Sequence, residues 1–317
     1  MRTICVLGGT GFVGTQLAAR LARHDDLRIR VLTRDPARAT QLAVLPSVER
    51  VLANVHDLAT LRREFNGCSA VINLVGILNE TGFSGRGFEQ AHAELTRKVV
   101  TAARERGVPK LLQMSSLGAD EQAPSHYLRS KGRAEQHVRD AAPSLSGSIF
   151  RPSVIFGAQD SLTNRFARLL RLTGGILPLA RAGARFAPIF VDDVVTALES
   201  VLQRGAAGST SYDLCGPDVF TLRELVEFVG LTAGSGARVL PLPDAIARVQ
   251  AFVMDFVPGR PFSTDNYRSL GIDSLCRDNG CARLGIEPTS LRAVAASWLG
   301  PGERNARRQR ARAERGG

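Results

Sequence analysis

Val6-Leu7-Gly8-Gly9-Thr10-Gly11-Phe12-Val13-Gly14 follows a short apolar run, Thr3–Leu7, and opens a segment rich in Ala and Leu. Gly8, Gly11 and Gly14 therefore stand three apart at a strand-to-helix turn. Each position has a physical task. Gly8 permits the tight turn, Gly11 lets backbone approach a pyrophosphate, and Gly14 lets helix and strand pack closely, while the helix N-terminus supplies amide donors and a positive dipole end. Glycines alone are a weak signal; a strand before them and a helix after them make the turn a phosphate cradle. Thr10, Phe12 and Val13 complete the candidate contacts in this turn.

Outward from the cradle, short apolar runs alternate with longer helical segments. The runs are Thr3–Leu7, Arg28–Leu32, Val48–Val51, Ala70–Val75, Lys110–Met114 and Gly147–Phe150, and candidate helices lie near 13–24, 58–66, 88–106 and 126–141. This alternation predicts an α/β fold, a Rossmann doubly wound parallel sheet. Beyond residue 155 it weakens, and Gly/Pro punctuation rises at Thr173–Gly175, Gly216–Pro217 and Pro258–Pro261. A strand–helix unit at Ala187–Gln203 and a strand at Ser211–Leu214 are expected to rejoin the main sheet. The expected organisation is a dinucleotide-binding domain over 1–155, rejoined by about 187–215. A smaller interleaved α/β substrate or partner part is expected from 156–186 and 216–300, and a basic tail without order over 301–317.

The second strand ends Val31-Leu32-Thr33-Arg34-Asp35. An acid at such an end accepts from the adenosine ribose 2′-hydroxyl, but here Thr33 takes that place, with Arg34 just beyond and Arg38 after it. A guanidinium suits a 2′-phosphate, so NADP(H) is favoured, and NAD(H), reached through Asp35, is the alternative. Further along, Tyr127-Leu128-Arg129-Ser130-Lys131 puts a phenol and an ammonium on one helix face. The ammonium is expected to lower the phenol pKa toward neutrality, and a phenol so poised exchanges a hydroxyl proton while a nicotinamide carries the hydride. The strand before that helix ends Met114-Ser115-Ser116, and either hydroxyl is placed to bond a substrate carbonyl.

The ordered set of the glycine frame, Asn73-Leu74-Val75-Gly76, Ser115-Ser116, Tyr127-x-x-x-Lys131 and Arg151-Pro152-Ser153-Val154-Ile155-Phe156-Gly157 resembles the extended and atypical short-chain dehydrogenase/reductases, the NAD-dependent epimerase/dehydratase group. The resemblance covers almost the whole chain before the tail. The stretches FRPSVIFGAQDSLTNRFARLL, FAPIFVDDVV and YDLCGP are similar to the branch containing the nucleotide-binding accessory subunit of mitochondrial complex I and its bacterial relatives, some linked to coenzyme Q biosynthesis. The resemblance implies that Tyr127 is the acid/base, Lys131 its partner and a ribose ligand, and Ser116 the hydroxyl aligned with the carbonyl. It further implies that Gly76 lies beside the adenosine half, that Arg151 and Pro152 lead out beside the nicotinamide, and that Leu74, Val75, Met114, Ser115 and Val154 also contact the cofactor. Asn54, followed by Val55, stands where many relatives carry an Asp contacting adenine. Some members of the branch hold NADPH without turning it over, so the Tyr/Lys pair does not by itself imply turnover.

The 317 residues are 44% hydrophobic and 22% charged, an ordinary globular balance. Cys5, Cys68, Cys215, Cys276 and Cys281 show no CxxC spacing and read as free thiols in a reducing compartment. His24, His56, His92, His126 and His137 form no HxH or HExxH, so no metal site is expected. No run approaches the ~18 apolar residues of a membrane span, and the start runs straight into the cradle without a leader. The expected location is cytoplasmic, with peripheral attachment to the inner face of the membrane as an option. The net charge is +11, and six arginines against two glutamates stand in the tail. The charge suits an anionic membrane surface or a respiratory or quinone-biosynthesis complex. No specific nucleic-acid contact is expected, since the tail has no aromatic residue to stack on bases. Residues 245–257 have a wide apolar face fit for the core, for lying on a bilayer or for covering an apolar quinone-like ligand. Three functions remain: an NADPH-dependent oxidoreductase on a carbonyl or quinone-like substrate, a non-turnover NADPH-holding accessory protein, and a nucleotide-sugar epimerase or dehydratase.

Overall fold

A computed structural model describes residues 1–35, 40–205, 209–257, 260 and 262–300. Arg38 and the 301–317 tail lie outside the described residues. The chain divides into two compact units. The first is Met1–Pro152, Val191–Leu214 and Cys276–Glu287, and the second is Ser153–Phe190, Cys215–Leu275 and the described residues from Pro288 on.

The first unit is built on strands β1 (Arg2–Leu7), β2 (Leu27–Thr33), β3 (Val48–Leu52), β4 (Cys68–Asn73), β5 (Lys110–Met114), β6 (Ser146–Pro152) and β7 (Thr210–Leu214). They form one parallel sheet in the order β7-β6-β5-β4-β1-β2-β3. Its flanking helices include α1 (Phe12–Leu21), α2 (Leu58–Glu64), α3 (Leu95–Glu105), α4 (His126–Arg139) and α5 (Val191–Gln203). Central strands of such a sheet are covered on both faces and so carry unbroken apolar runs; Ile4, Cys5, Val6 and Leu7 are all buried. Leu61, Phe65, Val71, Val99, Leu111 and Ile149 belong to one core cluster. Asp57 accepts from Ala59 N and Thr60 N to cap α2, and Ser125 accepts from Leu128 N to cap α4. At the other end of α5, the Lys110 ammonium donates to the carbonyls of Val201 at 3.1 Å and Leu202 at 2.9 Å, a cation on a helix C-terminus. The chain reverses direction through the sheet between β1 and β4. Ligands of doubly wound sheets bind at the strand ends beside such a switch point.

The second unit holds three two-stranded sheets: Ile155–Phe156 with Ile189–Phe190, Arg185–Phe186 with Phe220–Thr221, and Ile176–Leu179 with Arg238–Pro241. Phe156, Phe190 and Trp298 stack in its core. A capping box between Thr221 and Glu224 starts helix Leu222–Thr232.

Three expectations need correction. The strand expected at Ala187 does not rejoin the main sheet; Ile189–Phe190 pairs with Ile155–Phe156, and only α5 and β7 belong to the first unit. The helix expected over 88–106 opens with a π-helical turn, Glu89–Glu94, before α3. Cys215 and Cys276 are disulfide-bonded, while Cys5, Cys68 and Cys281 are free. Irregular spacing in sequence carries no signal of which thiols a fold brings within bonding distance. Residues Cys276–Glu287 return to the first unit, a return with no counterpart in the sequence pattern.

Candidate active site

The glycine turn is shaped as its spacing requires. Gly8 adopts φ 75°, and a Cβ there would meet Leu74 C and Val75 N at 3.0 Å, so this position both needs a left-handed residue and touches the β4 loop. Gly11 N donates to Gly8 O at 3.0 Å. A Cβ on Gly14 would lie 2.3 Å from Gly8 O, which keeps α1 close under β1. A Cβ on Gly11 would meet Gly8 O at 3.3 Å and nothing else within 4 Å among the described residues. The first turn of α1, Phe12-Val13-Gly14-Thr15, contains no acid and no side chain caps it; Thr15 N donates to Gly11 O at 2.9 Å, and the Phe12, Val13 and Gly14 amides lie in an uncharged turn that follows Thr10. These residues fit a dinucleotide pyrophosphate.

At the end of β2, the Thr33 hydroxyl donates to Asp35 O at 3.0 Å and accepts from Asp35 N at 3.1 Å. Thr33 thus shapes the turn, and exposed Arg34 follows it with no carboxylate in the ribose position. Asn54 Oδ1 accepts from His56 N at 3.0 Å, next to buried Val55. Lys98 Nζ donates to His56 O at 2.8 Å. Burial, helped by the charges of Lys98 and Arg34, holds the His56 imidazole below its ordinary pKa. Arg34 and Lys98 therefore make this end of the sheet electropositive, and their charges help keep His56 toward its neutral form. His56 and Lys98 were not among the sequence candidates, because nothing in their spacing links α3 to the β3 loop.

Tyr127 and Lys131 lie one turn apart on α4, as the spacing predicts. Lys131 Nζ donates to Met114 O at 3.2 Å, and a Cβ on Gly76 would stand 3.3 Å from that Nζ. The loop of Leu74, Val75 and Gly76 therefore passes directly over the lysine. Burial pulls the Lys131 ammonium down to about 8, partly offset by the Glu135 carboxylate. Burial pushes the Tyr127 phenol up, against a hydrogen bond with Ser116 that pulls it down. The expected fall of the phenol toward neutrality is therefore corrected: desolvation outweighs the hydrogen bond, and the lysine is turned toward Met114 O.

The geometry separates the two serines. Ser115 Oγ donates to Glu135 Oε1 at 2.6 Å, whereas the Ser116 hydroxyl is the one beside Tyr127. Glu135 is fully buried and is also held by Arg151 Nε at 2.7 Å and by Arg139. Arg151 thus turns its guanidinium onto Glu135, while Pro152 O accepts from Leu117 N at 3.1 Å. Val154, half-buried, belongs to the second unit. Glu135 escaped the sequence reading, although its place two turns after Tyr127 on one helix face was a usable signal.

His92, like the four other histidines, stands in no motif spacing. It sits buried in the π-helical turn, a feature often found at functional sites. His92 Nε2 accepts from Ile77 N at 3.1 Å, and its ring meets the Tyr127 ring edge to face at 5.5 Å. Desolvation and the Lys131 charge hold its pKa well below the ordinary value, so it is neutral. It ties the Leu74–Ile77 loop to the helix that carries Tyr127 and Lys131.

Comparison with known proteins agrees with this geometry. A family model described as NAD(P)H-binding matches residues 8–165. The chain is 31% identical to a protein of Arabidopsis thaliana named NADH dehydrogenase [ubiquinone] 1 alpha subcomplex subunit 9, over 93% of this chain and 76% of that one. The chain belongs to the short-chain dehydrogenase/reductases, in the NAD-dependent epimerase/dehydratase group. It is also similar to a protein of Caulobacter vibrioides named ceramide reductase, at 29% identity over 76% of this chain and 74% of that one. The fold of a dTDP-glucose 4,6-dehydratase from Streptomyces venezuelae, solved with NAD bound, superposes with a TM-score of 0.74 at 21% identity, covering 94% of this chain and 96% of that one. The seven-stranded parallel sheet with flanking helices is common to this chain and that neighbour.

Proposed function

We propose that this short-chain dehydrogenase/reductase is an NADPH-dependent oxidoreductase that reduces a carbonyl or quinone-like group. One observation carries the reading: the Tyr127 phenol, held protonated by burial, is hydrogen-bonded to Ser116 at the end of β5. The phenol is protonated at neutral pH and so is available there as an acid; burial makes it a weaker one, and the hydrogen bond with Ser116 works against that rise. Ser116 orients the substrate oxygen by hydrogen bonding, and Tyr127 delivers its proton to that oxygen as negative charge develops there. Lys131, cationic below about 8, stands one helical turn from Tyr127, and solvent returns the proton to the phenolate. A bound reduced nicotinamide supplies the hydride. Gly8, Gly11, Gly14 and the α1 amides would hold the pyrophosphate.

The preference for NADPH rests on Arg34 beyond a Thr33 that offers no carboxylate, supported by the Lys98 ammonium. Reduced-nicotinamide fluorescence tests it. NADPH is expected to bind at least tenfold more tightly than NADH, and Arg34→Ala to remove most of that difference, as loss of a charge-assisted bond of ~1.5–3 kcal/mol requires. Equal affinities, or oxidised NAD that co-purifies, would sink the NADPH assignment and bring the nucleotide-sugar epimerase or dehydratase reading forward. Turnover is tested by following NADPH oxidation with a panel of quinones and aldehydes.

A second reading is favoured by the relative named as a complex I subunit: an accessory protein of a respiratory or quinone-biosynthesis complex that holds NADPH without consuming it. A bound cofactor that stays reduced in air with quinones present supports this reading over the first.

A further inference from the structure

Helix Asp244–Met254 is inverted for a helix of a globular unit. Its inward positions are Ala247 and Ala251, packed with Ala180, Tyr267, Leu242 and Phe262. Its large apolar side chains, Ile246, Val249, Phe252 and Val253, point outward and are each more than half exposed. Phe256 extends this stripe by another turn, and its ring meets that of Phe252 edge to face at 5.3 Å. The stripe adjoins the sheet of Ile176–Leu179 and Arg238–Pro241, where Ile176 and Leu240 are also exposed and Gln250 lies 3.5 Å from Pro178 O. Apolar side chains scattered singly over a surface need no explanation, but a contiguous patch marks a docking surface.

We propose that this face docks on the surface of an anionic lipid bilayer, with the helix lying in the plane of the headgroups. Charge complementarity selects lipid over other occupants. Helices Leu162–Leu172 and Asp244–Met254 and the two strands beside them carry Arg165, Arg168, Arg171, Arg238 and Arg248 against a single acid, Asp244. That carboxylate is ion-paired with Arg248 at 2.8 Å. The whole chain carries +11. A helix of eleven residues is ~16 Å long, too short to cross a bilayer and suited to lie on one with its apolar side in the acyl boundary. Among the described residues no helix is long and apolar enough to cross a membrane. The arginines of these elements attract anionic headgroups, and the phenylalanine and aliphatic side chains of the stripe then leave water. The inference stands apart from the question of turnover, since none of these residues is in the site of Tyr127.

The test is co-sedimentation of the full chain with vesicles of phosphatidylcholine alone or mixed with phosphatidylglycerol, at low and high salt. The double variant Val249→Asp/Phe256→Asp changes two side chains that are 62% and 65% exposed. Binding is expected to the anionic vesicles, at least tenfold weaker to the neutral ones, and weakened by salt. The double variant is expected to lose at least tenfold in binding while its NADPH titration matches that of the parent chain. Equal binding by the double variant would overturn the proposal, placing any lipid contact elsewhere. A chain that ignores both kinds of vesicle overturns it too; if that chain dimerises and the double variant does not, the face covers a second copy instead.

Discussion

His92 Nδ1 donates to Ser130 Oγ at 2.8 Å, because its Nε2 is already the acceptor for Ile77 N, and Ser130 Oγ passes the bond on to Tyr127 O. One neutral imidazole thus fixes the cofactor loop and the catalytic helix together. His92→Phe keeps a ring in place but leaves these polar groups unpaired. The variant is expected to unfold ~1–3 kcal/mol more easily in urea and to bind NADPH more weakly.

The same residue gives stability a sign in acid. Above about 6.5 the folded and unfolded chains both hold this imidazole neutral. Below it the unfolded chain gains a proton that folded His92 refuses, so its contribution is lost as pH falls, by up to ~1.4 kcal/mol per unit. Urea midpoints between pH 8 and 5 are expected to drop more steeply for the parent chain than for His92→Phe.

Lys131 is cationic below about 8 and neutral above it. NADPH affinity is therefore expected to fall as pH rises through that value. Removing the Glu135 charge withdraws the support that holds this ammonium up. Glu135→Gln should move the midpoint of the fall to lower pH, as read by fluorescence titrations across pH; an unmoved midpoint would assign the fall to another group.

Two glycines separate folding from binding. Gly14→Ala forces a Cβ to 2.3 Å from Gly8 O and is expected to destabilise the chain, whereas Gly11→Ala meets only a 3.3 Å neighbour at an ordinary backbone angle. Gly11→Ala should keep its thermal midpoint and lose NADPH affinity.

Tyr127→Phe removes the proton donor and little else. On any substrate found to be reduced, the rate is expected to fall by roughly 10²–10⁴ with NADPH affinity nearly unchanged. A rate within twofold of the parent would remove Tyr127 from the chemistry.

The sheet was legible because buried parallel strands write themselves as apolar runs, and the Tyr127–Lys131 pair because a helix turn has a fixed length. What escaped depends on contacts that sequence separation hides. Nothing in Ser115-Ser116 says which hydroxyl Glu135 will take, since that depends on the pairing of β5 with α4. The π-helical turn at His92 adds no composition signal. In Asp244–Met254 apolar residues surround the axis, so periodicity could not say that the alanines would face inward. The phenol pKa was misjudged because burial is invisible to a motif.

Three separate stretches of sequence complete the first unit, and this constrains synthesis. When residue 152 has just been made, β6 still lacks its neighbour β7, and α5, which brings Val194, Leu198 and Val201 to the core, does not yet exist. An open strand edge is prone to pair with other chains. The nascent protein must therefore carry a half-built nucleotide domain until residue 214 has emerged, and its last piece arrives at Cys276–Glu287, so this unit is completed only after Ser153–Phe190 and Cys215–Leu275 of the other have been made, rather than domain by domain.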